Sequence, residues 1–166
     1  MTHSVYIALG SNKGDRLNFI RTALYEINNC KSCRVEQTAC VYETKPYGNI
    51  PQQNFYNSVV LVTTKLSAKD LLTCLKELEV KIGRTVSQLW GPREIDIDIL
   101  FYDNFIYSDE QLTVPHKEVH LRDFVLQPIA DINAEFIHPV LNKTISALLK
   151  ESGSDNILNK VAGKIL

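Results

Sequence analysis

The chain has 166 residues, 45% hydrophobic and 22% charged, which suits one domain with its own apolar core. Its formal net charge of −1 leaves no global basic surface for nucleic acid. The apolar run at 5–9 is too short for a secretory signal or a bilayer span, so the sequence predicts a cytoplasmic protein with no membrane partner.

In chain order, the apolar run ending in Gly10-Ser11-Asn12 reads as a buried strand entering a turn. Leu17, Ile20, Leu24 and Ile27 then recur at helical spacing, with Asp15 in the first turn. Cys30 and Cys33 form a C-x-x-C after that helix. A zinc site needs a second pair, and a redox pair would open a helix rather than follow one. The cysteines are therefore read as reduced, unpaired thiols of a reducing compartment. Residues 34–42 read as a strand. Residues 43–54, with Pro46, Gly48, Asn49 and Pro51, read as a loop, and Phe55–Thr64, rich in Val, Thr and aromatics, as a strand.

Ser67 and Asp70 make a capping box for a second helix, with a core stripe of Leu71, Leu75, Leu78 and Ile82 and a stop at Gly83. A loop at 84–93 leads into a strand at 94–102. The order β-α-β-β-α-β predicts an α+β fold with a ferredoxin-like core, an antiparallel sheet with helices packed on it. A hairpin near 105–113, a loop at 115–122 and short helices follow. The expected domain spans 1–152, and 153–166 reads as a flexible or helical tail.

The segment Trp90-Gly91-Pro92-Arg93-Glu94-Ile95-Asp96-Ile97-Asp98 carries the most chemistry. In a strand Asp96 and Asp98 share one face, roughly 6.5 Å apart at the backbone, while Ile95, Ile97 and Ile99 share the other. Two readings stand: a carboxylate pair for Mg²⁺, whose shell is completed by substrate phosphates, or the solvated acidic face of an edge strand. Gly91-Pro92 turns the chain tightly, which brings Trp90 and Arg93 close to the acids, and Arg93 offers a planar fork for phosphate. Thr113, His116 and Arg122 lie in one region stiffened by Pro115. His116 and His120 have the spacing of a zinc pair, but no third ligand accompanies them. The turn at 10–14 lacks the spacing of a Walker P-loop, and the protein-kinase motifs H-R-D and D-F-G are absent. Any nucleotide must be held by side chains and metal.

These segments together resemble the 6-hydroxymethyl-7,8-dihydropterin pyrophosphokinases, colinearly over residues 6–139. The resemblance rests on Ala8-Leu9-Gly10-Ser11-Asn12, Tyr42-Glu43-Thr44 with Pro46 and Gly48, and Phe55 with Asn57. It continues through Glu79, Ile82-Gly83-Arg84, Trp90-Gly91-Pro92-Arg93 with Asp96 and Asp98, Leu112-Thr113-Val114-Pro115-His116, Arg122 and Phe124. It implies transfer of the β,γ-pyrophosphoryl group of ATP to the pterin hydroxymethyl, giving AMP, in folate biosynthesis. It also implies two Mg²⁺ ions on Asp96 and Asp98, and other folate-pathway enzymes as partners. Thr44, Asn57 and the backbone near Tyr47 would bond the pterin edge, with Asp96 nearby, and Phe55 and Phe124 would sandwich its ring. Glu79, Ile99, Thr113 and His116 would line the ATP site. Arg84, Arg93 and Arg122 would neutralise phosphate, and Trp90 would cover both substrates.

The chain departs from this pattern in places. Leu89 stands where relatives commonly carry arginine, the loop before Trp90 is short, a second loop arginine is missing near Thr85 and Val86, and Gln111 replaces a basic residue. Two rival readings remain on the same residues. One is an RNA-binding module, which would need paired aromatics on a basic sheet face; the other is a two-metal nuclease or cyclase.

Overall fold

Alternation along the central strand decides which side chains face which layer. In the computed structural model, which describes every residue except Asn49, Gln88 and Leu166, β1 (His3–Ser11) directs Val5, Ile7 and Leu9 to one face and Tyr6 and Ala8 to the other. The expectations that fall on Asn49 in the loop at 43–54, Gln88 in the loop at 84–93 and Leu166 in the tail lie outside the described residues. β1 pairs antiparallel with β4 (Phe55–Thr64) on one side and β5 (Asp96–Tyr102) on the other, which makes β5 a sheet edge. The strand starts at Asp96, two residues later than the sequence suggests, because Glu94 is engaged by side chains instead.

The single strand expected at 34–42 is two: β2 (Cys33–Thr38) and β3 (Val41–Thr44), which pair with opposite ends of β4. The break has a hydrogen-bonding cause. The Cys40 N–H leaves the sheet and donates to Asp131 Oδ2 at 3.2 Å, on a helix packed below.

α1 (Arg16–Asn29) and α2 (Ala68–Ile82) cover the Val5–Ile7–Leu9 face with Ile20, Leu24, Ile27, Leu71 and Leu75. Asp15 precedes the first turn as N-cap, accepting from Asn18 N at 3.1 Å, and Ser67 caps α2 by accepting from Asp70 N at 3.2 Å. Gly83 ends α2 with φ 114°, a conformation that costs glycine little. The other face packs under α3 (Asp123–Asn133) and α4 (Ile145–Ser152), where Val125, Leu126, Ile129 and Leu148 meet Tyr6, Val59 and Phe101. A short hairpin of β6 (Tyr107–Ser108) and β7 (Thr113–Val114) lies between these halves in sequence. Among the described residues no helix is long and apolar enough to cross a membrane. All four cysteines are free, with Cys30 Sγ 3.7 Å from Cys74 Sγ.

The C-terminal segment corrects the sequence reading. In place of a flexible or helical tail, β8 (Ile157–Ala162) pairs antiparallel with β3 and extends the sheet to the order β5-β1-β4-β3-β8. Its side chains are largely exposed, so it leaves no apolar alternation to read. Backbone hydrogen bonds to β3 hold it, with Val161 and Ala162 packed against the core at its end.

Candidate active site

The site begins with an edge-strand problem. An edge strand leaves backbone groups unpaired, and α2 satisfies those of Ile97 with an i,i+3 pair of side chains. Glu79 Oε1 accepts from Ile97 N at 2.7 Å, and Lys76 Nζ donates to Ile97 O at 3.0 Å, to Glu79 at 2.7 Å and to Asp98 Oδ1 at 3.2 Å. Arg84, just past the Gly83 stop, reaches Glu79 Oε2 at 2.5 Å and Asp96 Oδ1 at 2.7 Å; Arg93 takes Asp96 Oδ2 at 2.7 Å. The helix thus grips the strand at Ile97 and Asp98, while Arg84 and Arg93, from the segment after it, hold Asp96.

One carboxylate oxygen each of Glu79, Asp96 and Asp98 lies within 4.8 Å of the others. Burial first, and then the neighbouring Asp98, pushes the Asp96 carboxyl up, against the pull of Arg93, Arg84 and Lys76. Lys76 and Arg84 are lowered by burial but raised more by Asp98, Asp96 and Glu79, so both stay cationic. A hard, oxygen-only donor set whose members repel one another fits Mg²⁺, which would relieve that repulsion.

A cavity opens on the Asp96–Asp98 face. Thr44, Tyr47, Phe55, Asn57, Trp90 and Phe124 line it together with Asp96. Asn57 Nδ2 donates to Thr44 Oγ1 at 2.7 Å, across the β3–β4 pair. Gly10, on β1, makes room for this amide, since a Cβ there would stand 2.8 Å from Asn57 Oδ1. Tyr47 and Phe124 tilt together at 6.3 Å, with the Arg122 guanidinium 5.0 Å over the Tyr47 ring and 5.7 Å over the Phe124 ring. Arg122, which lines the cavity, also pairs with Glu118, and its Nε is buried without a hydrogen-bond partner.

A second cavity adjoins the first, with Ile99, Thr113, Gln111, Leu72 and Lys76 on its walls. Asp98 and His116 line both. Burial first, then Arg122, pushes His116 below its ordinary value, so it stands as a neutral ring between the cavities. Arg84 sits beside the acids, and Arg93 lines the first cavity with Trp90. Glu79 lines neither. At 3% exposure it lies behind the aspartates, with its oxygens taken by Ile97, Lys76 and Arg84.

Three loops meet at the rim, and Asn12 joins them. At 1% exposure it accepts from Arg93 N at 2.9 Å and donates to Gln52 Oε1 at 2.9 Å and Gln53 O at 3.0 Å. Gln52 in turn donates to Trp90 O at 3.0 Å, where the backbone is left-handed with φ 66°, a costly conformation for a bulky residue. Glu94 holds the other end of the Trp90 loop. Burial alone would raise its carboxyl, but Lys13 at 2.6 Å, the Thr85 N–H and the Thr85 hydroxyl hold it down to about 2. Sequence reading missed the roles of Lys76, Gln52 and Glu94. The i,i+3 spacing of Lys76 and Glu79 was the one local signal, and nothing local shows that both reach β5.

Known proteins resemble this chain. Residues 6–134 match the model of a family described as 7,8-dihydro-6-hydroxymethylpterin-pyrophosphokinase (HPPK). The chain is 39% identical over 155 residues to the 2-amino-4-hydroxy-6-hydroxymethyldihydropteridine pyrophosphokinase of Aquifex aeolicus, covering 93% of each. It is 39% identical over 144 residues to the folic acid synthesis protein FOL1 of Dictyostelium discoideum, covering 87% of this chain and 22% of that one. The crystal structure of Plasmodium falciparum HPPK-DHPS with pterin and p-hydroxybenzoate superposes with TM-score 0.72 at 20% identity, over 91% of this chain and 42% of that one, a likeness of fold. The Asp96–Asp98 floor between two cavities and the match over most of the chain lead to one conclusion: the chain belongs to the 7,8-dihydro-6-hydroxymethylpterin-pyrophosphokinase family, ATP-dependent enzymes of folate biosynthesis.

Proposed function

We propose a division of labour between the two cavities for the family's reaction, in which the β,γ-pyrophosphoryl group of ATP passes to the hydroxymethyl of 6-hydroxymethyl-7,8-dihydropterin and AMP leaves. The observation that carries it is that Asp98 and His116 line both cavities, so a ligand in each would meet the other at Asp98, beside Asp96. The pterin takes the first cavity. Its flat ring fits between Phe55 and Phe124, and its amide-like edge suits the Asn57–Thr44 pair, which both donates and accepts. ATP takes the second, with its base near Ile99 and Leu72 and its phosphates directed at the floor.

Asp96 and Asp98 hold Mg²⁺ in this reading, and the resemblance implies two ions. The bound metal supplies charge neutralisation across the phosphates. Arg84 and Arg93 are within reach of the same charge by exchanging Asp96 for phosphate, and the Arg122 guanidinium adds positive charge from the wall of the first cavity. His116, neutral and between the cavities, orients phosphate oxygen by donating a hydrogen bond. Trp90, half exposed at the rim, closes over the substrates and excludes water. We place the reaction in the cytoplasm, a reducing compartment that suits the free thiols. Other folate-pathway enzymes are its natural partners, since the FOL1 and HPPK-DHPS relatives carry matching segments within longer chains.

Phosphorus NMR of a turnover mixture tests the reaction. AMP and a pterin diphosphate ester are expected; ADP with a pterin monophosphate would overturn it. AMP release without added pterin would favour the hydrolytic rival instead.

A further inference from the structure

Asp123 opens α3 one residue before Phe124, yet its side chain turns away from the cavities and is 5% exposed. Its carboxylate accepts four N–H bonds: from Phe124 N at 2.9 Å, Asn156 Nδ2 at 3.0 Å, Asn156 N at 2.8 Å and Ile157 N at 3.3 Å. Its own N–H donates to Ser154 Oγ at 3.2 Å. From the other side, Lys45 N donates to Asn156 O at 2.9 Å, and Ile157 is in register with Thr44. Residues 154–157 line neither cavity. They nevertheless tie the segment bearing Phe124 to the strand end bearing Thr44, and these two residues stand on different walls of the same cavity.

We propose that Asp123 and residues 154–157 form a strap that sets the spacing between Phe124 and the Thr44–Asn57 edge, making Asp123 a positioning residue for the pterin. The inference rests on the reading of this cavity as the pterin site. A buried carboxylate that satisfies four donors is a rigid node, because releasing any of them leaves an N–H unmet. The carboxylate also stands at the N-terminus of α3, where its charge favours the first turn that presents Phe124. The ATP side has a separate frame, since the second cavity is walled by β5, β7 and α2, none of which the strap bonds. The strap should therefore govern one substrate and not the other.

Asp123→Asn tests this, because it keeps the size of the side chain but turns an NH₂ group toward N–H donors. The KM for pterin is expected to rise about tenfold, with kcat changed by less than about threefold and the KM for ATP by less than about twofold. Asn156→Ala removes only the side-chain donor and should raise the pterin KM by a smaller factor. It carries the test if Asp123→Asn fails to fold. A purely structural role would lower thermal stability and the active fraction while leaving both KM values in place. Equal losses for the two substrates, or a loss confined to kcat, would overturn the strap. Asn57→Ala separates this failure from failure of the cavity assignment. A raised pterin KM in Asn57→Ala with none in Asp123→Asn or Asn156→Ala removes the strap alone; no change in Asn57→Ala removes the pterin cavity and the strap with it.

Discussion

The charged floor of the site and the loop above it are held by different means. Asp96 and Asp98 ride on a strand whose backbone is gripped by Lys76 and Glu79 from a fifteen-residue helix, and each aspartate is bonded to at least one cation. The loop is held at its ends, by Thr85 on Glu94 and by Trp90 on Gln52, while Leu89 between them is 82% exposed. Phosphoryl transfer depends on positioned charge, so its acids belong on elements that do not move. Admission of two substrates needs a cover that opens at low cost, and such segments come from the weakly packed end of a fold.

This contrast predicts a graded series of effects, and the floor should show the largest. Asp96→Ala or Asp98→Ala is expected to cut AMP formation about a thousandfold or more while circular dichroism shows an intact fold, since preorganised electrostatics is usually the largest catalytic contribution. Chelation should abolish activity and Mg²⁺ restore it. Near-normal turnover in either variant would remove the floor from the mechanism.

Glu79→Ala asks whether the helix grips the strand. It leaves the Ile97 N–H without its acceptor and strips an anion from Lys76 and Arg84. Both cations are partly exposed, which screens the loss, so urea denaturation should show about 2–3 kcal/mol of destabilisation. Turnover should fall as well, because Asp96 and Asp98 lose their support. A loss of stability below about 0.5 kcal/mol would show that the strand edge stands without α2.

The loop variants should be mild. Glu94→Gln weakens the contacts with Lys13 and Thr85 at a partly exposed site, and about 1 kcal/mol is expected. Limited proteolysis should find the loop at 84–90 cut faster in this variant than in the unmodified chain. An unchanged cutting rate would mean that Glu94 does not restrain it. Leu89→Arg adds the cation that the resemblance leads one to expect there. A short loop has little freedom to lose on closing, and Arg84 and Arg93 already stand at the acids, so single-turnover rate should change by less than about threefold. A tenfold acceleration would show that the loop lacks a needed charge and that the floor alone is insufficient.

Much of this molecule is written in local spacing. The stripe of Leu71 and Leu75 between Ser67 and Gly83 specifies α2, and the alternation of Asp96 and Asp98 with Ile97 and Ile99 specifies a strand with an acidic face. These patterns, with the resemblance they carry, determined the sheet-and-helix class and named Thr44, Tyr47, Phe55, Asn57, Trp90, Asp96 and Phe124, which all line the first cavity. Periods of 2 and 3.6 report which face of an element is buried. They do not report which distant polar group meets another. Asn12 meets Arg93 across 81 positions of sequence, Ile97 meets Glu79 across 18, and Asp123 meets Asn156 across 33. The tertiary structure alone made β8 a strand, since a segment held by backbone bonds to β3 needs no apolar face to announce it. It alone placed Glu79 behind the aspartates, because a buried carboxylate goes where donors converge, and that convergence exists only once helix and strand are packed.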